Sequence, residues 1–172
     1  MKRVLLVIAI AACTKAGGEK HGQGAVVPVA KDDVAYSAPK TATAKPAGDL
    51  AWKVVDGPAA LAAFARDAGA ANLKPYAYLH AEWCGPCKAI EKTHAADPQM
   101  VDAFKGTAVA LIDIDKVDPQ ALSAAGMEAS AIPVFFKLDA SGKPTGDRID
   151  GGAWGDNVPE NMAPPLKAFF AK

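Results

Sequence analysis

From residue 50 onward, apolar positions recur with two alternating periods, one of strands and one of helices. Residues 52–55 read as a short strand. Gly57-Pro58 then opens a helix whose apolar stripe is Leu61, Phe64, Ala65 and Ala68, with Pro tolerated in the first turn. Residues 76–81 form a strand rich in aromatics that leads directly into a Cys pair. Asp97-Pro98 gives an N-cap and first-turn signal for a helical segment ending near Gly106. Residues 107–114 are a hydrophobic run suited to a parallel strand buried on both faces. Asp118-Pro119 starts another helix, stopped by Gly126. Residues 134–138 and 147–150 flank the turn Ala140-Ser141-Gly142-Lys143, which predicts an antiparallel hairpin. A last helix is expected over 165–171, with Pro164-Pro165 preventing its backward continuation through Met162. The order βαβαβαββα predicts an α/β fold, a three-layer sandwich with a mixed central sheet flanked by helices.

The first 49 residues follow different rules. Lys2 and Arg3 precede an unbroken apolar run over 4–12, which is far short of the ~20 residues that span a bilayer. The pattern is that of an export signal rather than a fold element. It ends in Ile10-Ala11-Ala12-Cys13, which resembles the bacterial lipobox and implies cleavage before Cys13 and lipidation of that residue. An ordinary secretory signal with Cys13 near the cut is the alternative, and either reading exports the chain to an oxidising compartment. Thr14 after the Cys resembles an outer-membrane rather than an inner-membrane address in enteric lipoproteins. Beyond it, the stretch to about residue 49 is rich in Ala, Lys, Gly and Pro and keeps no period, apart from the short apolar run 25–30. It reads as a disordered tether, whose ~35 residues give a coil of roughly 30–35 Å. The expected organisation is thus a signal peptide over 1–12, a lipidated Cys with its tether over 13–49, and one domain over 50–172.

Charge narrows the function classes. Lys and Arg number 19 against 19 Asp and Glu, and removal of Lys2 and Arg3 leaves 17 against 19. Such a balance gives no support to a nucleic-acid partner. The three Cys divide into one anchor and one pair.

The decisive segment is Ala81-Glu82-Trp83-Cys84-Gly85-Pro86-Cys87-Lys88. A disulfide needs Cα atoms about 4.4–6.8 Å apart, which two residues separated by two others on a first helical turn can meet. At the junction of a strand and a helix, unpaired N–H groups and the positive end of the helix dipole stabilise a thiolate at Cys84. Only a thiolate attacks a disulfide, so Cys84, nearer the exposed end, is expected to be the nucleophile. Cys87, one turn inside, is expected to resolve the mixed disulfide.

This string resembles the active site of the thioredoxin superfamily, and the resemblance covers residues 50–172. It implies a thioredoxin fold, a redox-active Cys84–Cys87 disulfide flanked by Trp83, Gly85, Pro86 and Lys88, and thiol–disulfide oxidoreductase activity. It also implies that Ile132-Pro133 is the family's cis-proline dipeptide. There the backbone of Ile132 would bond an extended client chain, and Pro133 would keep a metal-binding side chain away. A trans Pro opening an edge strand is the plainer reading of Pro133 taken alone. Cys87-Lys88, Glu91-Lys92, Thr93 and Asp97-Pro98-Gln99 resemble, more narrowly, the C-terminal thioredoxin-like domain of the DsbD family. That likeness places Glu91 where an acid lies close to the thiols; a surface-helix charge is the competing reading.

Two departures stand out. Where the family carries a buried Asp six residues before the first Cys, this chain has Tyr78, and where its partner Lys stands, it has Leu111. Proton transfer for Cys87 therefore falls to another group, and Glu91 and His80 are the candidates. His80 also has a plain account as a strand residue with a satisfied hydrogen bond, while His94 and His21 read as solvated. The implied clients are oxidised or thiol-bearing exported proteins, with a membrane electron-transfer protein of the DsbD or CcdA type as a further partner for a monomeric chain. No cofactor or metal is expected. One CxxC is a poor zinc site, and Lys88 breaks the c-type haem string. A Cu(I)-handling or assembly-factor module, with the dithiol as soft ligands, is the alternative from another class. The Gly-Pro dipeptide suits a reductant, although potential also follows thiolate stabilisation.

Overall fold

The structure is a computed structural model that describes residues 48–172. The expected signal peptide, Cys13, His21, the run 25–30 and the expected tether as far as residue 47 lie outside the described residues.

Five strands form one sheet: β1 (Trp52–Val54), β2 (Lys74–His80), β3 (Thr107–Asp113), β4 (Val134–Leu138) and β5 (Pro144–Asp150). Their spatial order is β1-β3-β2-β4-β5. β1 and β2 run parallel to β3, whereas β4 runs antiparallel to β2 and β5 antiparallel to β4. Six α-helices complete the fold among the described residues: α1 (Gly48–Ala51), α2 (Leu61–Ala70), α3 (Gly85–Thr93), α4 (Pro98–Ala103), α5 (Pro119–Ala124) and α6 (Pro159–Ala171).

Strand periodicity divides the core into two layers. In β2, Tyr76 and Tyr78 face a cluster that contains Cys84, Cys87, Ile90, Phe135 and α6 residues, whereas Ala77 and Leu79 face Leu61, Phe64 and Phe136. Alternate residues of one strand thus serve opposite layers, and four consecutive residues of β2 are buried. The chain has the thioredoxin fold: an α/β sandwich with a mixed sheet between helical layers. No helix among the described residues is long and apolar enough to cross a membrane.

Most local signals operate as read. Leu61, Phe64, Ala65 and Ala68 are the buried residues of α2. The Asp97 side chain accepts hydrogen bonds from the Gln99 and Met100 N–H groups at 2.9 and 3.2 Å. Asp97→Ala should therefore lower stability by about 1 kcal/mol, measurable as a reduced Tm with an unchanged folded-state spectrum.

The last helix corrects the sequence expectation. It begins at Pro159, six residues before the expected start, and carries Pro164 and Pro165 inside it. Each Pro removes one helical hydrogen bond, leaving the carbonyls of Glu160 and Asn161 without their usual donors. Glu160 and Asn161 are both exposed, so water can satisfy those carbonyls. Met162, Ala163, Leu166, Phe169 and Phe170 are buried on the inner face, and that packing outweighs the local cost. β5 likewise starts earlier than expected, at Pro144, with an irregular register between Phe136 and Leu138 on β4.

Candidate active site

The site lies at the carboxyl ends of β2 and β3, where open α/β sheets leave a crevice. β2 ends at His80, and the chain enters α3 after Trp83. Cys84 is the N-cap of α3 in extended conformation, and its Sγ accepts a hydrogen bond from the Cys87 N–H at 3.2 Å. A sulfur therefore occupies the position that a Ser or Asp oxygen takes in an ordinary cap. Gly85 and Pro86 fill the first turn, where the missing N–H of Pro86 leaves no helical bond unmade. Cys84 and Cys87 are joined by a disulfide with Cα atoms 5.2 Å apart.

Both sulfur residues are more enclosed than their place at a helix start implied. Cys84 is 3% exposed and Cys87 fully buried, so what access there is belongs to Cys84. Gly85 adds no side chain above it, and a Cβ there would meet nothing within 4 Å. Lys88 is exposed on the next turn. Trp83 is 66% exposed, and its Nε1–H donates to Asp115 Oδ2 at 2.8 Å, which holds the indole at the rim.

The peptide bond between Ile132 and Pro133 is cis. Val134 pairs with Leu79, so the Ile132-Pro133 dipeptide arrives at the end of β2 from which the Cys pair departs. Pro133 is buried and its carbonyl accepts from the Gly151 N–H at 3.1 Å. Ile132 packs against the cluster that contains both Cys.

Tyr78 and Leu111, the two positions that depart from the family pattern, are direct partners across β2 and β3. Tyr78 is fully buried and stacks on Phe135, with ring centroids 4.4 Å apart. Burial, followed by the charge of Glu91, pushes its phenol well above the usual tyrosine range. His80 and Glu91, separated by eleven positions in sequence, come together: His80 Nδ1 lies 3.0 Å from Glu91 Oε1. The two atoms are within ion-pair distance, although neither makes a hydrogen bond.

Sequence reasoning missed Asp113, Asp115 and Lys116. Asp113, opposite His80 in the β2–β3 register, is buried and paired with Lys116 Nζ at 2.8 Å. The hydrogen bond from Lys116 holds the Asp113 carboxyl below the usual carboxylate range. Lys116 also lies 3.5 Å from Glu82 Oε1. The available signal was a polar run at the carboxyl end of a buried strand. His94 corrects its solvated reading: it is half-buried, its ring lies 4.0 Å from that of Trp52, and its Nδ1 is 2.7 Å from the Glu91 carbonyl.

No family model matches the chain. Over 71 residues, or 41% of the chain, it is 30% identical to the thiol:disulfide interchange protein DsbD of Klebsiella pneumoniae, a stretch that makes up 12% of that relative. The chain therefore matches a small part of a much longer protein. Among solved structures it is similar to a disulphide isomerase from Xylella fastidiosa, with 21% identity, a TM-score of 0.47, and 78% of this chain and 94% of that chain covered. It is similar also to a thioredoxin from Thermus thermophilus, with 23% identity, a TM-score of 0.47, and coverage of 70% and 85%. What the chain itself presents is a thioredoxin-like fold with a disulfide-bonded Cys pair at CxxC spacing.

Proposed function

We propose that this chain is a thiol–disulfide oxidoreductase, anchored by lipid at Cys13 on the periplasmic side of a cell envelope, that reduces disulfides in exported clients. One observation carries the reading: the Cys84 sulfur caps α3 and receives the Cys87 N–H, an arrangement that stabilises a thiolate at that atom. In the reduced protein, the Cys84 thiolate attacks a client disulfide, and one client sulfur leaves as thiolate. The Cys87 thiolate then attacks Cys84 Sγ, the second client sulfur leaves, and the Cys84–Cys87 disulfide forms. Two electrons pass from the dithiol to the client. Trp83 and Ile132 border the approach, and the Ile132 backbone beside cis Pro133 is offered to an extended client strand. A membrane electron carrier of the DsbD or CcdA type would return the electrons.

The lipobox-like Ile10-Ala11-Ala12-Cys13 and the period-free stretch behind it support the anchor. Cys13→Ala should leave the protein uncleaved or release it in soluble form, with its rate of disulfide reduction unchanged. Mass spectrometry that found an unmodified mature N-terminus elsewhere would reject the anchor.

The activity itself is tested with the reduced full chain and insulin disulfides, supplied with an excess of dithiol reductant. Catalysed reduction above the reductant background is expected. Background rates alone, together with one Cu(I) bound per reduced chain, would replace this reading with the metal-handling one.

A further inference from the structure

The loop that follows β3 holds the active-site segment at two adjacent points. Trp83 donates its indole N–H to Asp115 Oδ2 at 2.8 Å, and Glu82 Oε1 lies 3.5 Å from Lys116 Nζ. Both holding residues depend in turn on one side chain. Asp113 Oδ1 accepts the Asp115 N–H at 3.1 Å, and Asp113 Oδ2 lies 2.8 Å from Lys116 Nζ. The Lys116 N–H donates to the Asp113 carbonyl at 3.1 Å, which closes the turn.

Asp113 is itself fixed by the sheet. It is the last residue of β3, pairs with His80 at the end of β2, and is 7% exposed. The Ile114 N–H, next along the chain, donates to the His80 carbonyl at 3.0 Å. A carboxylate withdrawn from water needs partners for its oxygens, and here one backbone N–H and one ammonium supply them. An Asp that accepts the N–H two residues on forms an Asx turn, which sets the direction in which the chain leaves the strand. This turn therefore decides where Asp115 and Lys116 stand and, through them, where Trp83 and Glu82 stand.

The two arms are unequal. Lys116 and Glu82 are 69% and 83% exposed, and an ion pair so open to solvent contributes little. The Trp83 arm is a short, direct hydrogen bond to a large exposed ring at the rim of the Cys pair. An aromatic surface already held in place loses less freedom when a client covers it, so binding is stronger.

We infer that Asp113 is a positioning residue for client recognition, whose Asx turn presets Trp83 at the rim and thereby tightens the binding of a protein client. The inference rests on the disulfide-exchange reading and extends it from the Cys pair to the loop after β3. No proton or electron passes through Asp113, and the sulfur chemistry is unchanged by it. The two carboxylate oxygens allow its parts to be separated. Asp113→Asn keeps an oxygen for the Asp115 N–H and gives up the charge that holds Lys116. Asp113→Ala gives up both. Asp113→Val, whose β-branched side chain suits a strand end, is a second variant without the acceptor, should the Ala variant fail to fold.

The test uses the full chain carrying Cys13→Ala, with insulin as the protein client and a small aromatic disulfide as the comparison. Loss of the acceptor should raise KM for insulin about threefold to tenfold while kcat moves by less than about twofold, the pattern of lost binding rather than lost chemistry. The small disulfide covers little of the rim, and its KM should rise less. Asp113→Asn should recover most of the insulin KM. In the oxidised protein, the Trp83 indole N–H resonance, assigned by Trp83→Phe, should exchange faster with solvent in the variants without the acceptor. The Trp154 indole N–H, bonded to Asn157, is the internal control and should not change. An unaltered insulin KM and an unaltered Trp83 resonance in those variants would overturn the inference. An Asn variant as impaired as the Ala variant would overturn it too, by tracing the effect to charge rather than to the turn. Failure of the unsubstituted protein to reduce insulin would instead reject the exchange reading, while the Trp83 resonance would still report on the turn.

Discussion

Cys87→Ala is expected to convert a transient client adduct into one that accumulates, whereas Cys84→Ala traps almost none, and both variants lose catalysed disulfide reduction down to the uncatalysed background. The asymmetry follows from position on α3. Cys84 is the cap and receives a helical N–H at its sulfur; Cys87 lies in the first turn and is fully buried. Attack requires a thiolate that a client can reach, and the remaining exposure belongs to Cys84. With Cys87 removed, attack still occurs but nothing displaces the client sulfur, so the mixed disulfide persists. Non-reducing gels with alkylated lysates distinguish the variants. Equal trapping by the two would contradict the assigned roles.

Gly142→Ala should be the most damaging small substitution in the domain outside the site, at about 2–4 kcal/mol. Gly142 lies in the turn between β4 and β5 with φ near +83°, where an L side chain is strained. A Cβ there would stand 2.5 Å from the carbonyl carbon and oxygen of Leu61 and 2.6 Å from the Ala62 nitrogen. These are backbone atoms at the start of α2, and they cannot swing aside as a flexible side chain does. Gly69 is the internal control. It is an exposed residue of α2, and a Cβ there would meet nothing within 4 Å. Gly69→Ala should stabilise by about 0.5–1 kcal/mol, because Ala loses less backbone entropy than Gly in a helix. Denaturant titration of the two variants should give shifts of opposite sign. A neutral Gly142→Ala would mean that the hairpin is not seated on α2 as described.

Periodicity and capping are properties of neighbouring residues, and they made much of the domain legible from sequence. The aromatic-rich run 76–81 marked a strand, the hydrophobic run 107–114 marked one buried on both faces, Asp97-Pro98 marked a helix start, and Leu61, Phe64, Ala65 and Ala68 marked an inner face. The spacing of Cys84 and Cys87 after an aromatic strand is local too, and so was readable as a dithiol at a helix start. Contacts across strands and layers are not encoded in any one window. The helix α6 runs through Pro164 and Pro165 because its inner face packs on the sheet while its freed carbonyls face water, and no local propensity carries that comparison. Gly142 reads as an ordinary turn Gly until the hairpin is seated on Leu61. His80 and Glu91 each had a bland account in sequence. Their meeting depends on where β2 ends and how α3 turns over it, as the Trp83–Asp115 bond depends on the end of β3. The sequence by itself determined most of the elements, the inward face of α2 and the reactive pair; only tertiary structure decided where α6 and β5 begin and what surrounds that pair, because side chains far apart in the chain become neighbours solely through the packing of the layers.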